Sequence, residues 1–93
     1  MAGFFAVEYT YAPEAAAVRD RFRPEHRTWL SAQHEAGRLQ FVGPYSDGSG
    51  ALLMITADDA DAARDLLAQD PFARESAVAA VSVKELTQVF GPY

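Results

Sequence analysis

Leu39-Gln-Phe-Val-Gly-Pro-Tyr45, Ser46-Asp-Gly-Ser-Gly50 and Ala51-Leu-Leu-Met-Ile-Thr-Ala57 follow one another without a break, and the rest of the chain can be placed around them. The outer segments are short, apolar and rich in residues that suit an extended backbone, so each predicts a strand. The Asp-Gly pair between them readily supplies the positive φ of a tight connection, which makes the two strands a hairpin. The second strand carries a further message. Leu52 and Met54 face one side of the sheet, and Leu53 and Ile55 face the other. A strand with one wet face alternates apolar with polar, and this one does not, so both of its faces need cover.

Working outward, Phe4 to Tyr11 predicts a first strand closed by Ala12-Pro13, with Phe4 and Ala6 opposing Phe5 and Val7. Glu14 to Phe22 is helix-prone, and proline is tolerated in a first helical turn, so Pro24 is expected to open the main helical segment. That segment runs to about Ala36 and stops at Gly37. Beyond the hairpin, Asp58 or Asp59 caps a helix through about Ala68, with Ala60, Ala63 and Leu67 at helical spacing. Asp70-Pro71 begins a short turn, Val78 to Thr87 alternates as a fourth strand, and Gln88 to Tyr93 is a tail. The order β-α-β-β-α-β implies a single α+β domain over residues 1–93, ferredoxin-like, with an antiparallel four-stranded sheet. Two helices cover one face of such a sheet. A second copy of the chain is the expected cover for the other, giving a homodimer built as a dimeric α+β barrel.

The 93 residues suffice for one domain and bury roughly 64% of the unfolded surface. With 49% hydrophobic and 23% charged residues the composition is globular. The chain has no cysteine, which excludes disulfides, thiolate metal sites and a thiol nucleophile, and suggests a reducing, cytoplasmic setting. Its opening, Met-Ala-Gly-Phe-Phe-Ala-Val-Glu8, lacks the basic start of a signal peptide, and no apolar run approaches the ~20 residues of a membrane span. The net charge is −5, and the one basic cluster, Arg19, Arg21, Arg23 and Arg27, is interrupted by Asp20 and Glu25. An acidic domain is poorly suited to phosphate backbones. The strand Ala51 to Thr56 also lacks the basic and aromatic residues of an RNA-binding strand, so no nucleic-acid partner is expected. Tyr11-Ala-Pro-Glu14 is no phosphate loop, the two histidines do not have metal-ligand spacing, and Ser46 and Ser49 lack the context of a serine nucleophile. Neither a metal nor another cofactor is expected.

The two histidines fall on different sides of the first helix. Trp29, Ala32 and Ala36 define an apolar stripe, with Leu30 to one flank. His26 falls roughly 70° from its centre and His34 roughly 150° away, so His26 borders the core and His34 is solvated. A border histidine is commonly a packing residue with one hydrogen bond. Asp70 before Pro71 reads as a helix cap, worth ~0.5–2 kcal/mol, and capping leaves one carboxylate oxygen for another partner.

Arg23-Pro24-Glu25-His26 resembles the R-P-x-H segment of the YCII-related family. Gly37-Arg38-Leu39 into Gly43-Pro44, Gly48-Ser49-Gly50, and Asp70-Pro71-Phe72 are similar to that family's motifs in order and spacing. The resemblance implies a ferredoxin-like fold, dimerisation into an α+β barrel, and a histidine–aspartate active site that falls here on His26 and Asp70. The Ala-rich Glu14 to Val18 stretch and the tail to Tyr93 carry no family motif and leave the substrate open. Such a pair suits general base catalysis: the carboxylate holds the imidazole in one tautomer and raises its basicity. The matching partner is a small, partly hydrophobic molecule with an acidic C–H or O–H, in an isomerisation or elimination. Arg23 can hold a carboxylate or phenolate and Ser49 can offer a hydroxyl, though Arg23 also reads as a solvated charge. Two other readings stay open from the residues: a non-catalytic ligand-binding module, and a structural dimer in which His26 packs and Asp70 caps.

Overall fold

A computed structural model describes residues 3–91; the tail's Pro92 and Tyr93, like Met1 and Ala2, lie outside the described residues. β1 (Gly3–Tyr11) leads through a 3-10 turn at Pro13–Ala15 into α1 (Ala16–Glu35). The hairpin strands are β2 (Leu39–Pro44) and β3 (Gly50–Ala57), followed by α2 (Ala60–Leu67), a one-turn α3 (Pro71–Arg74) and β4 (Val78–Leu86). The sheet order is β2-β3-β1-β4, with every neighbouring pair antiparallel, which is the expected ferredoxin-like α+β arrangement.

β1 is flanked on both sides, so its alternate side chains are committed to one face or the other. Val7 pairs with Leu53 and Val83, and Tyr9 pairs with Ala51 and Val81. Phe5, Val7 and Tyr9 are buried with Leu53, Ile55, Ala63 and Leu67 in the core beneath the helices. Asp59 caps α2 by accepting from the Ala62 amide at 2.7 Å. Gly37 and Gly48 have φ of +80° and +76°, the values that end α1 and turn the hairpin. At Gly50 a Cβ would stand 1.8 Å from the Tyr9 carbonyl oxygen, so glycine alone allows β3 to start against that residue.

Two expectations about α1 are corrected. Pro24 does not open a segment; it lies inside a helix of 20 residues. A mid-helix proline removes one donor and crowds the carbonyl four residues back. Pro24 is exposed, and the helix continues because its opposite face is packed on the sheet. The buried stripe also lies elsewhere. Ala32 and Ala36 are exposed, whereas His26 and Gln33 are buried and Phe22, Trp29 and Leu30 partly so. His26 therefore sits in the middle of the packed face. Alanine counts as apolar in a periodicity but contributes little area, and the buried polar residues have partners: Gln33 Oε1 accepts from Arg38 Nε at 2.7 Å. His34 is exposed as expected, with Nδ1 2.9 Å from the Leu39 carbonyl.

The opposite sheet face carries Phe4, Leu52 and Met54, joined by Phe41 and Leu86, which are 42% and 44% exposed. Among the described residues no helix packs over it. Past β4, Val89 and Phe90 are 91% and 98% exposed and line an apolar groove with Phe4, Met54 and Leu86. No helix of the described residues is long and apolar enough to cross a membrane.

Candidate active site

Three elements converge on one carboxylate. The pairing of β1 points Tyr9 at the helical layer, α1 presents His26 from above, and Asp70 stands at the start of α3. Asp70 Oδ1 accepts from the Phe72 amide at 3.0 Å, the cap expected of an Asp-Pro start. The same oxygen lies 2.6 Å from His26 Nδ1, and Oδ2 accepts from the Tyr9 hydroxyl at 2.8 Å. Asp70 is wholly buried. An ionised aspartate is an acceptor only, which matches three donors around it and assigns the imidazole proton to Nδ1. With Nδ1 as the donor, the neutral form of the ring carries its lone pair on Nε2, and the ring borders a cavity.

The imidazole is held on its face as well as its edge. It stacks on Phe72 with centroids 3.8 Å apart and planes 6° from parallel, and Tyr11 meets the same Phe72 edge-on at 6.1 Å. Arg74, in α3, reaches Glu25 Oε2 at 2.6 Å, tying that turn to the residue before His26. That bond holds the Glu25 carboxyl below its ordinary range. Burial, then the Asp70 carboxylate, push the Tyr9 phenol far above its usual range, so it stays a donor throughout neutral and moderately alkaline conditions. Burial also raises Tyr11, against the opposing influence of Arg19.

The cavity measures about 330 Å³, within the range of small-molecule sites. His26, Phe72, Tyr9 and Tyr11 form one wall and Leu30, Val42, Pro44 and Leu53 an apolar one, with Arg19, Arg23 and Arg27 along α1 and Gly48 from the hairpin turn. Arg23 lines this space while its guanidinium bonds Asp20 at 2.7 Å. Ser49 is exposed in the turn, its amide donating to Asp47 Oδ1 at 2.9 Å and its carbonyl accepting from the Tyr11 amide at 2.9 Å. Tyr9 and Tyr11 were not singled out as site residues from the sequence, and Phe72 entered only within the Asp70-Pro71-Phe72 motif. The available signal was the row Phe5, Val7, Tyr9, because a phenol in a buried row requires a polar partner. Among the described residues no group of three His, Cys, Asp or Glu side chains is placed to hold a metal ion.

The model of the YCII-related domain matches residues 3–87. The chain belongs to the YCII-related family. Comparison with curated protein sequences finds no match. Among solved structures, the 5-chloro-2-hydroxyhydroquinone dehydrochlorinase TftG of Burkholderia phenoliruptrix, in complex with 2,5-dihydroxybenzoquinone, superposes with a TM-score of 0.79 at 22% identity, over 90% of this chain and 93% of that one. PA3566 of Pseudomonas aeruginosa gives 0.61 at 21% identity over 96% and 95%. Rv0793 of Mycobacterium tuberculosis gives 0.60 at 12% identity over the whole of both chains. At these identities the likeness is one of fold.

Asp70 does more than cap, and its removal should cost accordingly. Asp70→Ala strands the His26, Tyr9 and Phe72 donors and is expected to lose about 3–5 kcal/mol, well beyond a cap alone, in urea unfolding. Tyr9 contributes to the alkaline limb. Its phenol has a raised folded pKa, so its contribution is complete below the unfolded value of ~10 and falls as the pH rises above it, by about 1.4 kcal/mol per unit. Tyr9→Phe should lack this component of the slope between pH 10 and 11, roughly as measured by urea midpoints.

Proposed function

We propose that this YCII-related chain is a small-molecule enzyme of the lyase or isomerase kind, with His26 as general base and Asp70 as the residue that orients it. The observation carrying this reading is the buried 2.6 Å contact between His26 Nδ1 and Asp70 on the wall of a ligand-sized cavity. Nε2 takes the proton from an acidic C–H or O–H of the substrate. The electron pair left behind either expels a leaving group from a neighbouring carbon or is reprotonated elsewhere on the molecule. Asp70 remains a carboxylate and stabilises the imidazolium formed. The step uses only acid–base groups of the chain. The similar fold of a dehydrochlorinase supports an elimination among the candidates. Arg23, in the cavity wall, and Ser49, next to the wall residue Gly48, are the proposed substrate-binding groups.

Turnover should be sought with chlorinated hydroxyhydroquinones and with enol and lactone isomerisation substrates, followed by ultraviolet absorbance and proton NMR in deuterated buffer. His26→Asn keeps an amide donor near the Nδ1 position and removes the base. It is expected to abolish turnover while the fold persists, and Asp70→Asn should lower kcat by about 10²–10⁴. Saturable binding without turnover across these classes would favour a non-catalytic binding module.

The open sheet face is proposed to pair with a second copy of the chain. It exposes Phe41 and Leu86, and neither needs a partner of different chemistry to be covered by its own symmetry mate. Solution scattering should return twice the chain mass, and Leu86→Asp should shift the protein to monomer. A concentration-independent monomer in the unaltered protein excludes the barrel.

A further inference from the structure

Arg19, Arg23 and Arg27 follow one another at four-residue spacing, so they form one ridge of α1, and all three line the cavity that holds His26. Like charges at that spacing repel, and the row stands in a chain whose net charge is −5. Of these three arginines, only Arg23 has an acidic partner among the described residues, Asp20 at 2.7 Å. The Arg19 guanidinium lies over the Tyr11 ring at 4.3 Å and reaches the Ala12 carbonyl only at 3.5 Å. Arg27 has no ion pair or side-chain hydrogen bond among the described residues. Two guanidinium groups thus border an apolar cavity with donors to spare, at a site where Leu30, Val42 and Leu53 offer no acceptor side chains.

We infer that the cavity selects a small planar organic anion, a carboxylate or an enolate- or phenolate-type oxygen on an apolar ring, with its charge met by Arg27 and Arg19 and its body against the apolar wall. Guanidinium groups suit this task, since they bind planar oxyanions through paired donors and are weakly hydrated. The row also meets a second need. When a base removes a proton, negative charge builds on the substrate, and cations facing that charge stabilise it more than they stabilise the ground state before the proton leaves. The buried Asp70 is bonded by His26 and the Phe72 amide and does not line the cavity, whereas the three arginines do, and at the cavity-lining Tyr11 the influence of Arg19 outranks that of Asp70.

This inference deepens the proposed function by naming its substrate class, but it is tested by binding and not by turnover. Benzoate and its uncharged isostere benzamide are titrated into the protein at pH 7 and observed by amide chemical shifts. Benzoate should perturb His26, Tyr11, Leu30 and Gly48, bind at least about tenfold more tightly than benzamide, and weaken when sodium chloride is raised. Arg27→Gln should reduce benzoate affinity by about fivefold or more and leave benzamide unchanged, whereas Arg64→Gln, the same charge change on α2, should alter neither. The same preference in His26→Asn would show that anion selection stands apart from the base, so a failure of turnover and a failure of selection are separate results. Equal binding of the two probes, absence of shifts with either at 50 mM, or an Arg27→Gln variant that binds benzoate as well as the parent would overturn the inference.

Discussion

A single buried carboxylate organises the functional end of this domain. Asp70 accepts from a phenol on β1, an imidazole on α1 and a backbone amide on α3, so one residue joins the sheet, the long helix and the short helix. A charge taken out of water is tolerated only when its acceptors are filled, and here the filling groups come from segments 61, 44 and 2 residues away. The packing follows from this constraint. Phe72 must stand two residues after Asp70 so that its amide closes the cap while its ring backs the imidazole, and the glycine at position 50 lets β3 lie against the backbone of Tyr9. Removing any one of the donors would leave a buried charge with one of its three partners missing.

That arrangement also separates the two ends of the histidine. Nδ1 is committed to the interior, and the rest of the ring borders a space with an apolar wall and a basic rim. A histidine used solely for packing needs one satisfied nitrogen and gains nothing from a cavity at its other edge. Membership of the YCII-related family accounts for the fold and for the positions of the motifs. The basic rim has a different origin. It comes from α1 running unbroken through Pro24, because a helix that restarted at that proline would not carry Arg19, Arg23 and Arg27 along one ridge.

The two faces of the sheet divide the molecule's tasks. Under the helices lie the core and the site; on the other face, Phe4, Leu52 and Met54 are backed by no helix among the described residues, and Val89 and Phe90 project beyond β4. Strand β3 is apolar on both sides because it lies between the two environments.

Local chemistry was enough to place the elements. Extended-favouring runs and turn residues give strands over 39–45 and 51–57 with the hairpin between them, within a residue of those observed; a cap at Asp58 or Asp59, found at Asp59, and one at Asp70 precede helices, and Gly37 ends α1. The pairing of His26 with Asp70 was legible through the motifs around them. Periodicity misjudged the face of α1, since it weighs Ala32 and Ala36 as core and cannot know that His26 and Gln33 will meet partners 44 and 5 residues distant. Tyr9 was hidden for the same reason: its hydroxyl finds the carboxylate only after β1 has become a central strand and α3 has folded over it. Whether a polar group can be buried depends on what lies across the gap, and that is settled by long-range packing, which no local pattern encodes.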